Sequence, residues 1–163
     1  MVEVQLRPPR HRVQRRAIAW WSVRALVVVL PPAVVLAALA ALIEPARTGL
    51  LVALAAVVIV GAGYLIVMPQ WRYRVHRWET TADAVYIASG WIWQEWHAAP
   101  MTRIQTVDTV RGPLQQLFRL AGVTVTTASA AGAITIQGLD RQVAADLALQ
   151  LTEITQATPG DAT

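Results

Sequence analysis

The sequence has no cysteine, no lysine and no asparagine. Without cysteine there is no disulfide, no thiolate metal site and no thiol nucleophile. Every one of the 14 basic residues is therefore Arg, a usage from which no chemistry follows. Charge is scarce: 15% of the 163 residues are charged, against about 25% in a soluble domain. Hydrophobic residues make up 55%, and the mean hydropathy is +0.43. This composition argues against disorder and against an ordinary soluble protein.

The net charge of +4 invites a nucleic-acid reading, but its distribution argues otherwise. Residues 1–77 hold ten Arg against Glu3 and Glu44, while residues 78–163 hold four Arg against eight acids. The basic excess thus borders the most apolar part of the chain, which is a topology signal. Residues 25–43 and 50–68 are free of charge. Each run, at about 1.5 Å per residue, matches the hydrocarbon thickness of a bilayer. Pro45 and Gly49 break the link Glu44–Gly49 between them, predicting a membrane hairpin. Ala38-Leu39-Ala40 resembles a signal-cleavage site, but the long basic stretch before it and the second span after it favour an anchor.

Arg counts orient the hairpin. Residues 7–24 carry six Arg and residues 72–77 carry three, while the link has one Arg and one Glu. The positive-inside rule places both termini in the cytoplasm of a cell whose cytoplasmic membrane the hairpin crosses. Arg12, Arg15, Arg16, Arg72 and Arg74 then face lipid headgroups, attracting anionic lipid without specificity. Trp20, Trp21 and Trp71 form the aromatic belt, and Arg24 snorkels to the interface. Pro31-Pro32 should kink the first span or start its regular part. Ala33, Ala37 and Ala41 form a small-residue stripe, and Gly61-Ala62-Gly63 reads as close helix packing. No acid, His or interior Arg lies in the spans, which disfavours an autonomous transporter.

The period changes after residue 70. Tyr73/Val75, Val85/Ile87, Trp91/Trp93, Val123/Val125 and Ile134/Ile136 alternate with polar or exposed positions, predicting short antiparallel strands. Thr80–Asp83, Ser89-Gly90, Ala99-Pro100, Gly112-Pro113 and Ala131-Gly132 are turn signals. Segment 103–111 alternates poorly and predicts a bulge. Val143, Leu147, Leu151 and Ile154 line one face of a C-terminal helix with Asp140 as N-cap. The expected organisation is a basic cytoplasmic arm over 1–19, flexible through residue 10, and a hairpin over 20–70 with spans near 20–43 and 50–68. A cytoplasmic domain over 71–156 and a flexible tail over 157–163 complete it.

One stretch carries a resemblance. Pro100-Met101-Thr102-Arg103-Ile104-Gln105 leads into Arg111-Gly112-Pro113-Leu114-Gln115-Gln116-Leu117-Phe118, after a turn at Gly90. This resembles the YdbS-like family of bacterial pleckstrin-homology membrane proteins, in which a membrane hairpin precedes such a domain. The resemblance implies a mainly β pleckstrin-homology-like domain: two packed antiparallel sheets plus a C-terminal helix. It also implies partners, either a second copy or a longer relative with similar domains. Arg119 departs from the pattern, standing where the family tends to have Gly, and Thr127-Ala128-Ser129 replaces a commoner His-containing turn. Most motif residues, including Pro100, Ile104, Gly112, Pro113, Leu117 and Phe118, are expected to maintain turns and core.

Catalytic signals are weak. His11, His76 and His97 show no metal-site spacing. Ser22, Ser89 and Ser129 lie in no nucleophile elbow. Asp83, Glu95 and Asp108 stand alone, so no acid–base pair is defined and no cofactor is expected. Pleckstrin-type phosphoinositide binding relies on basic residues in the first strand–strand loop; here Thr80–Asp83 has no Arg. Trp91, Trp93 and Trp96 remain as interaction candidates, with Trp96 on the opposite face if Trp91 and Trp93 point inward. The strands at 91–97 and 123–127 each offer an edge that a partner could extend. The sequence favours a non-enzymatic, membrane-anchored interaction module over a lipid sensor or an accessory subunit of a membrane enzyme or transporter.

Overall fold

A computed structural model describes residues 8–128 and 132–157. Ala131, Ser129 and the tail beyond residue 157 lie outside the described residues. The chain divides into two units: Ile18–Trp71, and a second built from Met1–Ala17 together with Arg72–Thr163.

The first unit is a pair of long helices, α1 (Arg16–Leu42) and α2 (Arg47–Val75), whose ends enter the other unit. Both meet the length and apolarity of a membrane span, and only 11% and 6% of their most apolar windows are buried. The core helix of a soluble protein would hide most of such a face. The break between them is shorter than expected. Pro45 sits in a 3-10 turn, Glu44–Ala46, and α2 resumes at Arg47, so Gly49 lies inside its first turn. Arg47 Nε caps the end of α1 by donating to Ala40 O at 3.1 Å. α1 is continuous across Pro31-Pro32. Gly61 is buried against Val29 of α1, where a Cβ would collide with the valine methyls; Gly63 has no such neighbour. In the alanine-rich half of α1, Ala40 is the buried residue, while Ala37 and Ala41 are exposed.

α2 also runs further than expected. The alternation Arg72-Tyr73-Arg74-Val75-His76 predicts a strand, but these residues extend the helix to Val75. His76 N–H still donates to Arg72 O at 2.8 Å, the helical i to i−4 bond. Five alternating residues do not outweigh propagation of an established helix, where each further residue adds a hydrogen bond.

The second unit holds two antiparallel sheets. The first has the order β1 (His11–Arg12), β2 (Arg77–Thr80), β3 (Ala84–Gly90), β4 (Gln94–Pro100). The second has the order β5 (Ile104–Val110), β6 (Leu120–Thr127), β7 (Ala133–Asp140). Their inward residues, Val85 and Ile87 against Val123, Val125, Ile134 and Ile136, form one core. α4 (Arg141–Ala157) covers it with Ala144, Leu147 and Leu151, and Ile154 packs at the margin. Val143, expected on this face, is 39% exposed, because the buried row runs through Ala144. Asp140 caps α4, its Oδ1 accepting from Gln142 N–H at 3.0 Å. The bulge expected in 103–111 falls at Gln105, where the β5–β6 register shifts between Ile104 and Thr106.

Residues 8–17 are held against this unit, while residues 1–7 of the arm expected to be flexible lie outside the described residues. β1 pairs with β2, and Arg10 binds Glu79 through its backbone N–H (3.2 Å) and its guanidinium (3.4 Å). Val13 and Ala17 are buried beside Gly138, whose carbonyl accepts from Gln14 N–H at 2.9 Å. Gly138 sits in a bulge of β7 with φ +77°, a conformation glycine adopts without strain. Arg16 pairs with Asp140 at 3.6 Å.

Candidate functional site

Trp93, the most exposed apolar side chain among the described residues of the domain, lies beside exposed Ile92 on the turn between β3 and β4. The alternation at 91–94 predicts a strand, but Trp91–Trp93 form the turn itself. Gly90 ends β3 at φ +117°, and a Cβ there would collide with the Trp93 carbonyl oxygen. Trp91 N–H donates to Trp93 O at 3.1 Å, closing the loop. Ile92 is 74% and Trp93 82% exposed, so Trp93 does not point inward. Trp91 is half-buried, and Trp96 on β4 is 46% exposed.

The strand register places this turn. Arg77 of β2 lies beside Ala88 of β3, which lies beside Trp96 of β4. The turn extends past that row, at the end of the sheet where the chain passes from α2 into β2, and opposite the Thr80–Asp83 loop. A pocket of about 200 Å³ opens there, lined by Arg74, Arg77, Ala88, Gln94 and Trp96. Among the described residues, no carboxylate lies within ion-pair distance of Arg74 or Arg77. Arg77 and Gln94 escaped the sequence reading; the signal for Arg77 was its place as third Arg of the 72–77 cluster.

The expected headgroup-facing residues are dispersed. The Arg12 guanidinium lies 6.0 Å from the centre of the Tyr73 ring, a cation–π distance. Arg15 is exposed, and Arg16 is held by Asp140. Trp20 and Trp21 are buried with ring centroids 5.8 Å apart, and Arg24 lies 5.5 Å from the Trp20 ring centre. Trp71 is exposed, whereas Arg72 is half-buried. The Arg72 carbonyl accepts from His76 Nδ1 at 2.9 Å. Burial, reinforced by the Arg72 charge, lowers the His76 pKa to about 4.

The motif residues mainly shape backbone. Pro100 precedes a 3-10 turn, Met101–Arg103, whose last carbonyl accepts from Ala128 N–H at 3.0 Å. Ile104 is in the core, while the Arg103 and Gln105 side chains are exposed. Gly112 and Pro113 start α3 (Pro113–Leu117), with Gln115 Oε1 accepting from Gly112 N–H at 2.8 Å. Leu114 and Phe118 are half-buried. Leu117, expected in the core, is exposed; on this short helix the buried side chain is Gln115, turned in to cap Gly112. After α3 the chain takes a left-handed turn at Arg119, φ +55°.

Glu95 and His97 lie 3.2 Å apart on the surface of β4, an exposed acid beside a half-buried imidazole. Among the described residues, no cluster of three His, Asp or Glu is placed to hold a metal ion.

Comparison with known proteins follows the same lines. A family model for the bacterial PH domain matches residues 23–155. Over 97 residues the chain is 30% identical to the UPF0699 transmembrane protein YdbS of Bacillus subtilis (strain 168), covering 60% of each protein. The chain thus spans less than two thirds of that relative's length. No solved structure gives a significant match. Helices that precede two antiparallel sheets and a terminal helix agree with this likeness, and the chain is a YdbS-like membrane protein that belongs to the bacterial PH domain family.

Proposed function

We propose that this protein is a non-enzymatic, membrane-anchored assembly module. Its domain sits on the cytoplasmic side of the cell membrane and pairs with a second copy, or with a related, larger membrane protein. The observation that carries this reading is β4. It is the terminal strand of its sheet, seven residues long, with most side chains exposed and its outer backbone edge open among the described residues. Such an edge accepts a partner strand through main-chain hydrogen bonds. The edge expected at 123–127 is not available, because β6 is the central strand of its sheet. Anchoring raises the local concentration of weak contacts, so a modest interface suffices.

Two features support the orientation. Arg flanks both helices on the side of the domain, in accord with the positive-inside rule. β1 and β2, which flank the two long helices in sequence, pair in one sheet, which supports a hairpin that returns the chain to the side it started from. Full-length protein with two different tags, co-expressed and purified in detergent, tests the assembly. Co-capture with a particle mass above one chain is expected, weakened by Ala98→Lys on the exposed edge. A strictly monomeric particle that captures neither the second tag nor a relative refutes it.

A further inference from the structure

The pocket beside Trp96 and the turn above it share one end of the sheet, and neither is explained by strand pairing. Arg74 lies six residues past Met68, the last residue of the uncharged run, on a helix that continues unbroken to Val75. At 1.5 Å per residue this is about 9 Å beyond the hydrocarbon edge, at the outer level of the headgroups. Arg77 begins β2 three residues later and shares the pocket with Arg74. Arg77 Nε donates to the Arg74 carbonyl at 3.5 Å, and among the described residues no carboxylate reaches either guanidinium, so their charge is available to an anion, with the Gln94 amide lining the same pocket. Trp93 and Ile92, on a turn fixed by Gly90, project past this row without cover. An indole beside an aliphatic side chain is suited to the interfacial layer, where one end is apolar and the other wet.

We infer that this end of the domain is an anionic-lipid site. Arg74 and Arg77 hold a phosphate-bearing headgroup in the pocket beside Trp96, while Ile92 and Trp93 enter the interfacial layer of the same leaflet. The position differs from the Thr80–Asp83 loop, which carries no Arg and lies at the opposite end of the sheet. The bilayer is the occupant favoured here because the chain is itself anchored in it, and because arginines flank the apolar tip. Binding there would fix the domain's tilt on the membrane, a role distinct from the β4 edge.

The absence of cysteine makes a single-site probe simple. Full-length Ile92→Cys carrying a nitroxide is placed in nanodiscs of phosphatidylcholine alone, or of phosphatidylcholine with phosphatidylglycerol. Collision with oxygen against a water-soluble nickel chelate then reports depth. The label is expected below the phosphate level when phosphatidylglycerol is present, and in water when it is absent. Arg74→Gln or Arg77→Gln should each raise the phosphatidylglycerol needed for half-maximal insertion roughly fivefold, and the pair roughly 25-fold. Replacing both by Lys should preserve insertion, which separates charge from folding. A label that stays in water in both lipids overturns the inference and assigns the tip to solvent or to a protein. Insertion indifferent to phosphatidylglycerol and to both arginines overturns it equally.

Discussion

Arg119→Gly should stabilise the domain. Arg119 follows α3 with φ +55°, the left-handed cap position that glycine fills most easily. For a residue with a Cβ this conformation costs roughly 1–2 kcal/mol. Glycine removes that strain but enlarges the unfolded ensemble, which takes back about 0.4–1 kcal/mol. The side chain of Arg119 is exposed and, among the described residues, forms no ion pair. Its backbone bonds survive the change: Arg119 N–H donates to Gln116 O at 3.1 Å, and its carbonyl accepts from Arg141 N–H at 3.2 Å. The net gain is about 0.5–1 kcal/mol, or roughly 2–8 °C in Tm for a domain of this size. Thermal unfolding of the full chain in detergent, followed by tryptophan fluorescence, measures it. Arg119→Ala is the control, since it removes the guanidinium and keeps the Cβ. The reasoning fails if Gly brings no gain, or if Ala gains as much as Gly.

Two further predictions follow from the domain. The His76 pKa is about 4 in the folded protein and near 6.5 unfolded, so protons bind the unfolded state better between these values. Stability should therefore be full above about pH 6.5 and fall toward pH 4, by up to ~3 kcal/mol from this group; denaturant titrations across that window should be flatter for His76→Gln. Gly138→Ala places a Cβ 2.9 Å from that of Ala17 at φ +77°, and should cost about 1–3 kcal/mol. Hydrogen exchange at Gln14 N–H should accelerate in that variant, and unchanged protection there would sink the account of how the arm docks.

The sheets and α4 were legible because burial on one face writes itself into the period of the sequence. Val85/Ile87, Val123/Val125 and Ile134/Ile136 alternate for that reason, and Leu147 and Leu151 repeat at helical spacing. The same alternation misleads where the residues do not lie on a sheet. Trp91-Ile92-Trp93 mimics a strand because a rigid turn exposes its side chains, and Arg72–His76 mimics one while continuing a helix. The docked arm left no trace in periodicity: a two-residue strand is too short to have one, and Gly138 is a lone glycine until its neighbours are known. The departure at Arg119 was visible against the family pattern, but its meaning needed the backbone angle. The pocket was invisible because Arg77, Gln94 and Trp96 converge through strand register, not through spacing along the chain.

The short pairing of β1 with β2 reaches beyond geometry into the order of events during synthesis. Arg10 and Glu79 meet across 69 residues that include both apolar helices. The first strand is therefore made long before its mate, and closing so distant a contact is slow compared with forming the β3–β4 hairpin. The sheet can be completed only after β2, which follows the second helix in the chain, has left the ribosome. Until then the edge of β2 that β1 covers has no partner strand. Two residues of strand thus tie the completion of this sheet to the synthesis of everything between Arg12 and Arg77.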